Sequence, residues 1–106
     1  TATTGIYTLS LRDALPIYGN SEGGHATPSE VAVTQAIYPD AIKSGVLEPK
    51  VAPSGRFYGP EDFRRRFPDG RIGSDPSLAT PEHGDRFIEI AARSVADAYA
   101  EFLAEE

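Results

Sequence analysis

The chain has 106 residues, 40% of them hydrophobic and 25% charged, which bounds it to one small domain or a piece of a larger one. It holds no cysteine, so disulfides, thiolate zinc sites and cysteine nucleophiles are excluded together. A net charge of −6 with ten Lys and Arg argues against nucleic acid as a partner, and no apolar run approaches the ~18–20 residues of a membrane span. With no targeting signal in view, the expected location is cytoplasmic.

Residues 1–17 read differently from the rest. Tyr7-Thr-Leu-Ser-Leu-Arg-Asp-Ala-Leu-Pro-Ile17 resembles the translation of a common sequencing adapter, with Arg12 where that translation has His. The stretch is therefore expected to be a non-native extension, although Leu9, Leu11 and Leu15 could also serve a native segment facing a core. Residues 18–106 are expected to form the domain proper. Gly19-Asn-Ser-Glu-Gly-Gly24 is a loop by composition, rich in residues that tolerate positive φ.

A helix is predicted next. Thr27 fits an N-cap, Pro28 the first helical position and Glu30 the N3 place of a capping box. Val31, Ala32, Ile37 and Tyr38 supply apolar positions, and Pro39 stops the helix. Ser54–Pro76 is mostly loop, broken by a short helix over Pro60–Phe67. Its Arg64-Arg65-Arg66 run is flanked by Glu61, Asp62 and Asp69 and reads as a solvated helix face. The last helix opens on Thr80 and Pro81. Ile88, Ala91, Val95, Ala98 and Phe102 repeat at helical spacing, and Glu89, Arg93, Asp97 and Glu101 lie opposite.

Chemistry could reside on very few residues. Of the two histidines, His25 follows Gly-Gly and precedes a helix N-terminus, so it is placed to be exposed and close to a positive dipole end. The same position also suits an ordinary surface histidine. Glu30 is open in the same way: a capping residue by pattern, or a catalytic acid. His83 falls in the first turn of the last helix with nothing beside it that suggests a site. No nucleophile elbow, P-loop, dinucleotide-binding turn or HExxH motif occurs.

Two segments resemble the creatininase family. His25-Ala-Thr-Pro-Ser-Glu30, followed by an apolar helix and Pro39-Asp40, is similar to the family's His, Ala/Gly, three variable residues, Glu, helix, Pro-Asp pattern. Pro68-Asp-Gly-Arg-Ile-Gly-Ser-Asp-Pro-Ser-Leu-Ala-Thr-Pro-Glu-His-Gly84 resembles its Gly-x-Asp-Pro-x-x-Ala-Thr-x-x-x-Gly signature, which leads into a closing helix. The resemblance implies the C-terminal portion of a three-layer α/β/α fold with a mostly parallel sheet. It implies hydrolysis of a C–N bond in a cyclic amide or related small molecule, assisted by two divalent metals, zinc or manganese. It makes His25 the proton shuttle and Glu30 a residue that helps place it. It also implies a homo-oligomeric parent enzyme, usually a hexamer.

The family's metal ligands come from an N-terminal Glu/His/Asp set and a His–Glu pair in a Gly-rich segment, and neither motif is present. Tryptophan is absent as well, which removes the residues that gate creatinine in the family. The chain is thus expected to be a fragment that binds no metal tightly and is inactive alone. The alternative, from another functional class, is a small acidic interaction module that docks through its last helix.

Overall fold

The computed structural model describes residues 16–105. Among the described residues three complete α-helices carry the fold: α1 over Pro28–Ile37, α2 over Gly59–Arg66 and α3 over Pro81–Ala104. Short 3-10 turns at Gly19–Glu22, Pro39–Ala41 and Pro76–Leu78 punctuate the connections. Residues 1–15, nearly all of the stretch expected to be foreign, lie outside the described part.

Each long helix begins where its local chemistry dictates. Thr27 accepts the Glu30 backbone N–H through its side chain at 3.2 Å, and Glu30 accepts the Thr27 N–H at 3.0 Å. That reciprocal pair satisfies two of the helix's free donors, a contribution of about 1 kcal/mol. α3 starts in the same manner, with Thr80 Oγ1 accepting the His83 N–H at 3.1 Å and Pro81 preset for the first turn. α2 uses Asp62 instead, which accepts the Tyr58 N–H at 2.8 Å and binds the side chains of Arg65 and Arg66.

The core is small and sits where α1 crosses the first half of α3. Tyr18, Ala32 and Phe87 form its buried centre, with Ile17, Val33 and Ala79 packed against them. Gly84 makes the crossing possible. A Cβ there would lie 2.5 Å from the Ala32 carbonyl carbon and 3.0 Å from the Ala36 Cβ, so only glycine lets the two backbones approach this closely. A second, smaller cluster joins Phe57, Phe63 and Phe67, whose ring centroids are 4.9–6.1 Å apart. Phe67 is its buried member. Burying one such ring contributes about 1.5–3 kcal/mol.

The expected parallel sheet is not found. Among the described residues there is no strand, and the sole β pairing is an isolated antiparallel bridge between His25 and Ile72. A physical reason lies in the stretch between α1 and α3. It carries Pro39, Pro49, Pro53, Pro60, Pro68 and Pro76, each lacking the N–H that a ladder needs. No run between them alternates long enough to be half-buried. Backbone groups there pair instead with single partners across loops.

α3 also behaves differently from a core helix. At 24 residues it is about 36 Å long, whereas the ten residues of α1 cover about 15 Å. Its distal half therefore has nothing from α1 beside it. Ile88 and Ala91 are partly buried, but Val95, Tyr99, Phe102 and Leu103 are at least half exposed. The radius of gyration is 16.0 Å, against about 13 Å for a compact domain of this size. None of the described helices is long and apolar enough to cross a membrane.

Candidate functional site

The loop ahead of α1 is built to fix backbone while leaving one side chain free. Glu22, at the end of the first 3-10 turn, is buried, and its carboxylate accepts the Ser29 N–H at 3.1 Å and the Ser29 hydroxyl at 2.6 Å. The N-terminus of α1 thus meets two carboxylates, Glu22 and Glu30, which offset its dipole. Gly23 has φ +66°, and a Cβ at this position would sit 2.5 Å from the Ser74 nitrogen and the Gly73 carbonyl carbon. Between His25 and the cap, Ala26 holds φ 54°. A non-glycine residue in that region costs about 1–2 kcal/mol, and such strain concentrates at functional loops.

Three loop segments lie side by side here. The middle one, residues 71–75, is bonded on one flank to residues 21–25. Gly24 N–H donates to the Ile72 carbonyl at 2.8 Å, Ile72 N–H to the His25 carbonyl at 3.3 Å, and Asp75 N–H to the Ser21 carbonyl at 2.8 Å. The Ser74 hydroxyl adds a donation to the His25 carbonyl at 2.8 Å. On the other flank, Ala52 N–H donates to the Ser74 carbonyl at 3.0 Å and Gly73 N–H to the Pro53 carbonyl at 2.8 Å. The buried Arg71 guanidinium pins that flank, donating to the carbonyls of Pro49 and Lys50 and to the Asp69 carboxylate, at 2.8–2.9 Å. Its hydrogen bonds hold the Asp69 carboxyl below the usual carboxylate range. An open hollow of about 570 Å³, lined by Gly23, Gly24, Ala52 and Ile72 among others, lies against this assembly.

The two segments that carry the sequence resemblance are therefore joined in space, His25 of the first to Ile72–Ser74 of the second. His25 is exposed, with its carbonyl held by two donors and its imidazole free of any protein hydrogen bond among the described residues. Glu30 is exposed too, and its carboxylate is engaged at the helix cap. No hydrogen bond links its side chain to His25. Glu30 also borders a separate apolar groove of about 410 Å³ between α1 and α3, lined by Val33, Phe87, Ile88 and Ala91. His83 turns inward, where its Nδ1 shares a hydrogen bond with the Tyr18 hydroxyl at 2.9 Å. Burial, and then the charge of Glu22, push the Tyr18 hydroxyl above its usual value.

Sequence reasoning missed Ser74, Glu22 and Arg71. Ser74 lies inside the Gly73–Pro76 signature, which flagged the segment but gave the serine no task. Glu22 sat in a loop whose composition suggested solvent. Asp69 is a local partner, but nothing in the pattern marks Arg71 as buried, because the carbonyls that take up its guanidinium lie 21 and 22 residues away.

The arrangement presents an exposed imidazole on a loop whose carbonyl is held by two donors. It does not fit a metal. Among the described residues no group of three or more His, Asp or Glu side chains could bind a cation. The carboxylates nearest the loop are already engaged, Glu22 with Ser29, Glu30 with Thr27, and Asp75 with the Ser77 N–H and hydroxyl. Metal sites need several preformed ligands in fixed geometry.

Comparison with known proteins gives one family. Residues 7–99 match the creatininase family model, described as creatinine amidohydrolase. No curated protein matches the chain. Members of this family are metal-dependent amidohydrolases that act on small molecules and generally bind a divalent metal. With the match covering most of its length, the chain belongs to the creatininase family.

Proposed function

We propose that this chain carries the proton-shuttling histidine, His25, of an enzyme that hydrolyses a C–N bond in a cyclic amide or related small molecule. The observation that supports this best is the joining of the two resembling segments at the His25 carbonyl, with the imidazole left exposed. In such a reaction His25 takes a proton from the attacking water and delivers it to the departing ring nitrogen, a contribution of about 10²–10⁴ in rate. Ala26 and the Thr27 cap set the direction in which the loop leaves α1. Glu30 closes the cap and so keeps the base of the loop in place.

The metals of the reading, zinc or manganese, would be held by residues other than those described. On this reading the chain is a fragment, inactive alone, of a cytoplasmic homo-oligomeric parent. The test has two arms. The isolated chain is equilibrated with zinc or manganese, dialysed, and analysed for bound metal and for ring opening of lactams and cyclic ureides. The expected result is no stoichiometric metal and no turnover above buffer. Tight metal binding by this chain alone would overturn the fragment reading. In a longer polypeptide that contains this segment and turns over a cyclic amide, His25→Ala is expected to lose about 10²–10⁴ in kcat. Unchanged kcat there would remove His25 from the chemistry.

The second reading, an acidic interaction module, is favoured by the exposed Val95, Tyr99 and Phe102 on α3. It requires a partner whose binding is abolished by Tyr99→Ser with Phe102→Ser while His25→Ala has no effect.

A further inference from the structure

We infer that Ser74 is a positioning residue for His25, and that the Gly73–Pro76 segment works as the anchor of the histidine loop. The inference rests on the hydrolase reading above for its catalytic meaning, and on the geometry alone for its structural content. Ser74 is fully buried, unlike the neighbouring Ser77, so its hydroxyl has no water to bond with. That hydroxyl donates to the carbonyl of His25, 49 residues away in sequence. The same carbonyl accepts the Ile72 N–H, and Gly24 N–H returns a bond to Ile72. Two hydrogen bonds therefore hold the His25 carbonyl, and a third holds the Gly24 N–H just before it. None of them uses the imidazole.

Two further features place the task on Ser74. Its own backbone is fixed from behind, since its carbonyl accepts Ala52 N–H, so the hydroxyl projects from a braced position. Opposite, Gly23 packs its Cα face directly against the Gly73–Ser74 peptide, leaving no room for the loop to slide. Asp75, the acidic residue of the signature, spends its carboxylate on Ser77 and caps the 3-10 turn that follows. The signature's polar side chains thus serve two separate ends, one holding the turn and the other holding the histidine.

The test uses the 106-residue chain, isotopically labelled, with amide hydrogen exchange and the ring signals of His25 followed by NMR. Ser74→Ala is expected to speed exchange at Ile72 and Gly24 by about ten-fold, the change that one hydrogen bond supports. Amides in the middle of α3 should remain within about two-fold of wild type, because global opening is unaffected. The His25 ring signal should shift or split as the loop samples other orientations. Ser77→Ala, at the exposed serine of the same segment, should change neither readout. Unchanged exchange at Ile72 with an unchanged His25 signal would overturn the inference. So would a uniform rise at every amide, which would make Ser74 a general packing residue. These readouts need no turnover, so their failure is distinct from a failure of the hydrolase reading, which the kcat of His25→Ala decides.

Discussion

Gly84→Ala probes the crossing on which the described fold depends. In an exposed helix the change is favourable by about 1 kcal/mol, because alanine restricts the unfolded chain and suits the helix better. At this position the new Cβ would lie 2.5 Å from the Ala32 carbonyl carbon, and closer still to its oxygen. Ordinary carbon contacts are about 3.5 Å, so α1 and α3 must part by about 1 Å. A gap of that size forfeits about a quarter to a half of the dispersion well for atoms facing each other across it. A buried side chain makes about 40–60 contacts of 0.1–0.2 kcal/mol, so opening the seam beside Phe87 and Ala32 costs about 2–4 kcal/mol. The propensity gain offsets part of this, and the net expectation is a loss of about 2 kcal/mol. For a chain of about 100 residues that lowers Tm by roughly 8–16 °C in calorimetry or far-ultraviolet circular dichroism. Gly45→Ala is the control, since nothing lies within 4 Å of its Cβ and its φ is unexceptional. It should raise Tm slightly or leave it unchanged. A Gly84→Ala variant as stable as Gly45→Ala would refute the close crossing.

Two other outcomes follow from the loop and its supports. Thr27→Ala should cost about 1 kcal/mol in denaturant unfolding, the usual loss of an N-cap. Glu22→Ala should cost about 2 kcal/mol, because a buried charge-assisted pair with Ser29 is removed and its N–H is left without a partner. The reverse order would mean that Glu22 is not the main support of the α1 N-terminus. Asp69 sets an acid limit. Its folded pKa is depressed by the hydrogen bonds from Arg71, so its stabilisation is present above the unfolded value near ~3.9 and fades as pH falls through the lower folded value. Asp69→Asn should therefore flatten the loss of stability on acidification below about pH 4. Asp62, lowered by Arg66, keeps its own acid dependence in both proteins. Parallel pH profiles for wild type and variant would exclude the Asp69–Arg71 contribution.

What could be read in advance divides by the range of the interaction. Both helix starts were legible, since Thr27–Glu30 and Thr80–His83 complete their hydrogen bonds within three residues. Pro39 stops α1 as expected, with Tyr38 as its C-cap. The Glu89–Arg93 pair forms at 3.1 Å, one turn apart, while Arg93 makes no ion pair with Asp97. The exposure of His25 was likewise implied by its place after two glycines. Contacts that cross 21 to 65 residues were not legible: Arg71 with Pro49 and Lys50, Ser74 with His25, Tyr18 with His83. Nor did periodicity reveal that the α3 stripe outruns its support. A helix reports which of its faces is apolar, but not whether a neighbour is long enough to cover it. The sheet was inferred from resemblance rather than from any alternating run, and that is why it failed.

The site's chemistry and its metal content separate for the same physical reason. A buried loop can hold a carbonyl with neutral donors at little cost, and Ile72 and Ser74 do this for His25. Concentrating carboxylates for a cation beside that loop is different, because each unpaired charge would need to be stabilised before the metal arrives. Among the described residues the carboxylates close to the loop already accept hydroxyl or amide donors, Glu22 through both oxygens and Glu30 and Asp75 through one each. Recruiting Glu22 would release the Ser29 N–H at the start of α1, and recruiting Asp75 would undo the turn behind Ser74. Either change would loosen the histidine it was meant to serve. On the proposed reading, the ligands of a divalent metal would come from outside the described residues.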